Sequence, residues 1–183
     1  MTVEIRGIRL TLRDLVAADE AAVHAYASDP VVTRFLVWGP NTAEDTRHFI
    51  GESIASSLNP DRTSFDLAVI HNDSQRLIGG AALRVTDIGN FEGEIGYVFG
   101  REFWSRGYAT ETAQTLLRFG FDRLALQRVC ATCDAENHAS ARVLQKAGMT
   151  FEGRVLVAVR GSWRDSLRFT RVSDTETQVR FTQ

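Results

Sequence analysis

The segment Trp104-Ser105-Arg106-Gly107-Tyr108-Ala109-Thr110-Glu111 has the residue types of an anion-binding turn, placed between a strand pattern and a helix pattern. Gly107 lets the backbone approach a ligand with no Cβ in the way, and Ala109 does nearly the same. The first amides of the helix that follows have no intrahelical acceptor, and the helix dipole favours negative charge at that end. These features suit a phosphate or pyrophosphate. The segment carries neither G-x-x-x-x-G-K-[ST] nor G-x-G-x-x-G, so it is not a nucleotide-hydrolase or dinucleotide loop. Taken alone, it is equally a plain turn before a helix.

Other residues could do chemistry. Glu92 and Glu94 stand two apart in a strand pattern, so they share a face. A carboxylate beside an amine is a general base, a role that typically adds ~10²–10⁴-fold to a rate. An exposed strand carboxylate that meets only water fits the same position. The run from Asn137 to Met149, N-H-A-S-A-R-V-L-Q-K-A-G-M, opens a helix, and Asn137 or Ser140 suits its cap. Cys130 and Cys133 are spaced C-x-x-C, but they lie in a strand pattern and point to opposite faces. A disulfide there is geometrically awkward. Zinc needs more ligands than these two, and His24, His48, His71 and His138 supply no matching pattern. Both cysteines are expected to be small core residues, and no metal site is expected.

These groups need a frame. Residues 3–13 alternate apolar and polar with a slip at Gly7, predicting a first strand. Asp19 is placed to cap a short helix through about Ser28, which Pro30 ends. Thr42 caps a second helix with Phe49, Ile50 and Ile54 on its apolar side, and Asn59-Pro60 stops it. Residues 64–71, 76–85 and 92–99 read as an antiparallel meander, with a turn at Asn72-Asp73-Ser74. The period then changes to that of a helix over 109–124. A strand follows at 128–133, then a helix at 140–147 closed by Gly148. Residues 149–160 and 163–172 form a last hairpin around Gly161-Ser162, and 175–183 is expected to fray. The order is βααβββαβαββ, one domain over residues 1–173 with a tail at 174–183. A strand-helix-strand unit inside an otherwise antiparallel sheet makes the class α+β, or mixed α/β.

The chain of 183 residues suits one domain with a real core. Its net charge of −2 gives no basic field for nucleic acid or an anionic membrane. Lys146 is the sole lysine, and an AT-poor genome would give the same arginine bias. No run approaches the ~20 apolar residues of a membrane helix, and the first ten residues do not form a signal peptide, so a cytoplasmic location is expected.

E-I-G-Y-V-F at 94–99, W-S-R-G-Y-A-T-E at 104–111 and the run at 137–149 together resemble the successive core motifs of the Gcn5-related N-acetyltransferase (GNAT) family. The closest subgroup is the RimJ/RimL type, which acetylates ribosomal-protein N-termini and includes enzymes for other amines; G-S-W-R-D at 161–165 resembles it too. The resemblance spans roughly residues 3–172. The family pattern Q/R-x-x-G-x-G/A here starts with Trp104, as is common in that subgroup.

The resemblance implies the GNAT fold and an acetyl-CoA-dependent N-acetyltransferase acting by direct transfer in a ternary complex. The backbone amides of Arg106, Gly107, Ala109 and Thr110 would hold the CoA pyrophosphate, with the Thr110 hydroxyl as an addition. Tyr97 and Phe99 would pair with the pantetheine arm as if it were another strand. The amide near Val98 or Phe99 would polarise the thioester carbonyl. Asn137 would bond to pantetheine, and Arg142 or Lys146 would meet the phosphates. Glu94, or Glu92, is the candidate base. Ser140 stands where many relatives carry an acidic tyrosine and would serve the sulfur, unless it only caps its helix. The amine would be a protein N-terminus, or alternatively an amino acid, polyamine or antibiotic. A non-catalytic acyl-CoA-binding module is the competing class. A monomer or homodimer is expected.

Overall fold

The computed structural model describes residues 2–173. The expectation that the tail frays lies outside the described residues. At the start of the chain, Gly7 turns a hairpin. Strands β1 (Glu4–Arg6) and β2 (Leu10–Asp14) pair antiparallel, and the Gly7 N–H donates to the Leu10 carbonyl at 2.7 Å. The single strand expected over 3–13 is therefore two, because this local bond reverses the chain where the alternation slips.

Two helix signals also act differently from expectation. The Asp19 carboxylate makes no cap bond to α1 (Glu20–Ala27). It is taken by the Arg13 guanidinium at 2.7 and 2.8 Å and by the Val16 amide at 2.9 Å. Pro30 opens a further one-turn helix, α2 (Pro30–Thr33), in which Asp29 accepts from the Val31 amide at 2.8 Å. A proline suits that place because the first-turn N–H has no helical acceptor anyway. α3 (Ala43–Leu58) starts as its sequence indicates, with Thr42 and Asp45 bonding reciprocally as a capping box.

The remaining elements match the predicted order. They are β3 (Ser64–His71), β4 (Leu77–Asp87), β5 (Glu92–Phe99), α4 (Tyr108–Arg123), β6 (Arg128–Asp134), α5 (His138–Lys146), β7 (Thr150–Val159) and β8 (Ser162–Val172). One eight-stranded sheet runs β1-β2-β3-β4-β5-β6-β8-β7. Among the described residues only β5 and β6 pair in parallel, as the strand-helix-strand unit requires.

One face of the sheet is covered by α4 and α5. Leu67, Leu83, Ile95, Val129 and Phe169 from the strands meet Leu116 and Leu144 from the helices there. On the other face α1 packs on β4, and α3 on β2 and β3. Val23, Tyr26, Ile50, Ala68 and Ile70 form that smaller core. Cys130 and Cys133 are free and buried, as expected, and strand alternation puts only Cys133 in the larger core.

Candidate active site

Strands β5 and β6 are paired only where they begin. The register runs Glu92↔Arg128, Gly93↔Val129 and Glu94↔Cys130, and then stops. From Ile95 to Phe99, β5 keeps β4 as its partner, while β6 beyond Cys130 keeps β8. The strands part at Glu94 and leave an open main-chain edge on β5. The alternation of an antiparallel ladder decides which groups face that gap. Gly100 N–H donates to the Ile78 carbonyl at 3.1 Å, so even-numbered residues of β5 turn their main chain towards β4. Odd-numbered residues turn it towards the gap, as the Phe91 carbonyl does in accepting from the Gln127 amide at 2.8 Å.

Tyr97 and Phe99 therefore present main-chain groups to the opening. Val98 does not, which corrects its place among the expected ligand-binding amides: its polar main chain belongs to the ladder with Gly80. The Phe99 carbonyl already accepts from Trp104 Nε1 at 2.8 Å, so its N–H is the group left over. The indole at the first position of the motif thus ties the turn back onto β5.

The turn itself is set by one backbone angle. Gly107 is the residue before α4 and has φ +79°, in the left-handed region that favours glycine. A Cβ there would meet only Arg9 Nη2, at 3.4 Å. The conformation and the free approach, rather than crowding, account for the glycine. The amides of Tyr108, Ala109 and Thr110 open the helix without intrahelical acceptors, and Glu111 N–H is the first to bond back, to the Gly107 carbonyl at 3.1 Å.

Arg9 braces this turn and was missed from sequence. Its backbone N–H and Nε each donate to the Glu111 carboxylate at 2.8 Å, and Nη1 donates to the Arg106 carbonyl at 3.0 Å. Its guanidinium also lies 4.8 Å from the Tyr108 ring centroid. It neutralises Glu111 beside the helix N-terminus. No local signal links residues this far apart in the chain. Arg142 and Lys146 are exposed and share a face of α5, four residues apart.

At the start of α5, Asn137 is the cap: its Oδ1 accepts from the Ser140 amide at 3.1 Å. That occupies the oxygen and leaves the Asn137 side-chain nitrogen. Ser140 is not the cap. Its hydroxyl lies 2.9 Å from the Tyr97 hydroxyl. Burial pushes both the Tyr97 phenol and the Cys133 thiol up, so both stay protonated.

The opposite face carries Glu94, three residues from Tyr97 and hence pointing the other way. Glu94 is exposed, and among the described residues no hydrogen bond or ion pair reaches its carboxylate. Glu92 shares that face but lies 3.9 Å from Arg128 Nε. Next to Glu94 in register, the Cys130 sulfur accepts from Arg168 Nη2 at 3.3 Å. A Cβ at Gly96 would meet nothing within 4 Å, so the strand is open there. The rim of this face is strapped from afar. Arg160 Nη2 donates to the Trp38 carbonyl at 2.7 Å, and Arg164 Nη1 to the Arg34 carbonyl at 3.1 Å. Phe91, Trp38 and Trp163 are exposed aromatic side chains.

Among the described residues no group of three or more His, Cys, Asp or Glu is placed to hold a metal, and no helix is long and apolar enough to cross a membrane.

A parted parallel strand pair, an amide-rich helix start beside the gap and an exposed carboxylate at the fork suit an acyltransferase site. Comparisons with known proteins agree. Residues 9–150 match the family profile described as an acetyltransferase (GNAT) domain. The chain is 36% identical over 145 residues to an N-acetyltransferase of Bacillus subtilis, covering 79% of this chain and 81% of that one. It superposes on an acetyltransferase of the GNAT family from Bacillus anthracis with a TM-score of 0.82 at 32% identity, covering 93% and 98% of the two chains. The RimL ribosomal L7/L12 α-N-protein acetyltransferase shares the fold, with a TM-score of 0.81 at 20% identity over 94% of this chain and 96% of that one. The chain belongs to the GNAT family and is an N-acetyltransferase.

Proposed function

We propose that this enzyme transfers the acetyl group of acetyl-CoA directly to a primary amine, and that the amine is a protein N-terminus. The observation that carries the transfer reading is the parting of β5 and β6 at Glu94. An extended pantetheine arm fits an unpaired strand edge, taking main-chain bonds from Tyr97 and Phe99. The amides of Tyr108, Ala109 and Thr110 suit the pyrophosphate, and the left-handed Gly107 leaves them uncovered. Arg9, Arg142 and Lys146 supply positive charge around this region. The Phe99 N–H is the donor that suits the thioester oxygen.

Glu94 takes the proton of the incoming amine, directly or through water. Its exposed carboxylate at the fork suits this better than Glu92, which has Arg128 beside it. Acetyl-CoA supplies an activated acyl group, so no metal is required. The protein N-terminus is supported by the RimJ/RimL-like motifs and by the open face at Gly96 and Glu94.

The test is thiol release from acetyl-CoA with a panel of peptide N-termini, amino acids, polyamines and aminoglycosides. Release with peptides is the expected result. Release with small amines alone replaces the acceptor and keeps the chemistry. Tight acetyl-CoA binding with no release on any amine sinks the transfer reading.

A further inference from the structure

The Tyr97 and Ser140 hydroxyls are 2.9 Å apart, although 43 residues separate them in the chain. They come from the parted strand and from the first turn of α5. We propose that Tyr97 is a positioning residue for Ser140: its O–H donates to Ser140 Oγ and so commits the single Ser140 proton to the sulfur of acetyl-CoA. The inference rests on the transfer reading above, with the sulfur lying in the gap between β5 and β6.

A serine hydroxyl has one proton and two lone pairs. Left alone it rotates among acceptors: the Tyr97 oxygen and, on the transfer reading, the arriving thioester sulfur. The Tyr97 hydroxyl faces two Ser140 oxygens, the carbonyl at 3.4 Å, which can only accept, and Oγ at 2.9 Å, where either hydroxyl can be the donor. Tyr97 is taken as the donor to Oγ, because a phenol is a stronger acid than an aliphatic alcohol. With Tyr97 donating, the Ser140 proton points away from Tyr97 and towards sulfur. Aligned donors of this kind polarise one another and strengthen the last bond in the chain.

The step balances without a proton leaving Tyr97. The amine nitrogen forms the new C–N bond, and the C–S bond breaks with its electron pair on sulfur. The pair Tyr97–Ser140 stabilises that developing charge by hydrogen bonding. The proton lost by the amine leaves through the Glu94 side, and the thiolate gains one from solvent, so both hydroxyls end as they began.

The experiment compares Tyr97→Phe, Ser140→Ala and the double variant. Tyr97→Phe keeps the ring, and an unchanged unfolding midpoint verifies its packing. Its kcat is expected to fall about tenfold, the order of one hydrogen bond, with KM for acetyl-CoA within about twofold. In the double variant kcat should equal that of Ser140→Ala, because the two hydroxyls act as a unit. A second readout needs no turnover: calorimetry with CoA and desulfo-CoA. The wild type should prefer CoA, and Tyr97→Phe should lose most of that preference. Losses that multiply in the double variant, or a Tyr97→Phe enzyme with wild-type kcat and wild-type preference, overturn the proposal. An enzyme inactive on every amine that still shows a Tyr97-dependent preference sinks the transfer reading instead, and leaves this contact standing.

Discussion

The two faces of the sheet are built in opposite ways. The α4/α5 face gets its proposed phosphate cradle from one contiguous run, Trp104 to Glu111, whose turn carries a single left-handed glycine. The face bearing Glu94 takes its rim from three distant places: the stretch after α2, the β7–β8 hairpin and the polar side of β6 and β8. Its straps, Arg160 to Trp38 and Arg164 to Arg34, cross more than a hundred residues of chain. The first face packs a large shared core beneath α4 and α5, while the smaller core of the second sits under α1 and α3. A cosubstrate common to a family needs one rigid answer, and local backbone geometry provides it. An acceptor that differs between relatives needs a rim that can change without disturbing the cradle. Side chains on loops and a hairpin permit that.

This comparison can be broken by variants that should damage one side only. The largest effect is expected at the fork. Glu94→Gln should lower turnover roughly a hundredfold, the scale of a general base, with acetyl-CoA affinity within about twofold. The limb of the pH–rate profile that reports the base should vanish. Steady-state kinetics and calorimetry check this, and wild-type turnover across pH would remove Glu94 from the mechanism.

Gly107→Val should weaken acetyl-CoA binding about tenfold or more. A β-branched residue at φ +79° is strained by ~1–3 kcal/mol, and its side chain covers the approach to the amides. Calorimetry on the folded variant reads this. Unchanged affinity would move the cradle elsewhere.

A smaller loss is expected from the brace. Arg9→Met removes the side-chain bonds to Glu111 and the Arg106 carbonyl and leaves the Glu111 charge beside the helix start. Acetyl-CoA affinity should fall by about three- to tenfold, with KM for the amine unchanged.

The smallest effect should appear on the other side. Arg160→Ala frees the Trp38 carbonyl from its strap. It should raise KM for the amine about two- to fourfold, one exposed hydrogen bond, and leave acetyl-CoA binding as it was. A change in acetyl-CoA affinity alone would show that the two faces are not independent.

Much of the turn before α4 was legible because its causes are neighbours in sequence. Gly107 must adopt a left-handed angle, the helix must start one residue later, and free amides follow from that start. The strand edges at 92–99 were equally legible, since alternation is a property of consecutive residues. The hairpin at Gly7 and the helix opened by Pro30 were harder. A slip in alternation fits either a bulge or a reversal, and the same proline residue ends one helix or begins another. Asp19 looked like a cap and became the partner of Arg13, because a strong bidentate charge pair competes with a cap bond.

By itself the sequence determined the order of elements from β3 onward, the glycine turn that opens α4, the shared face of Glu92 and Glu94 and the burial of both cysteines. All of these follow from periodicity and from backbone preferences of single residues. Only the tertiary structure decided where β5 and β6 part, which main-chain groups face the gap, that Arg9 holds the turn, and that the Ser140 hydroxyl lies against that of Tyr97 while Asn137 caps the helix. Each of these depends on which strands are neighbours and in what register, and pairing between distant segments is set by the packing of the whole sheet rather than by any local run of residues.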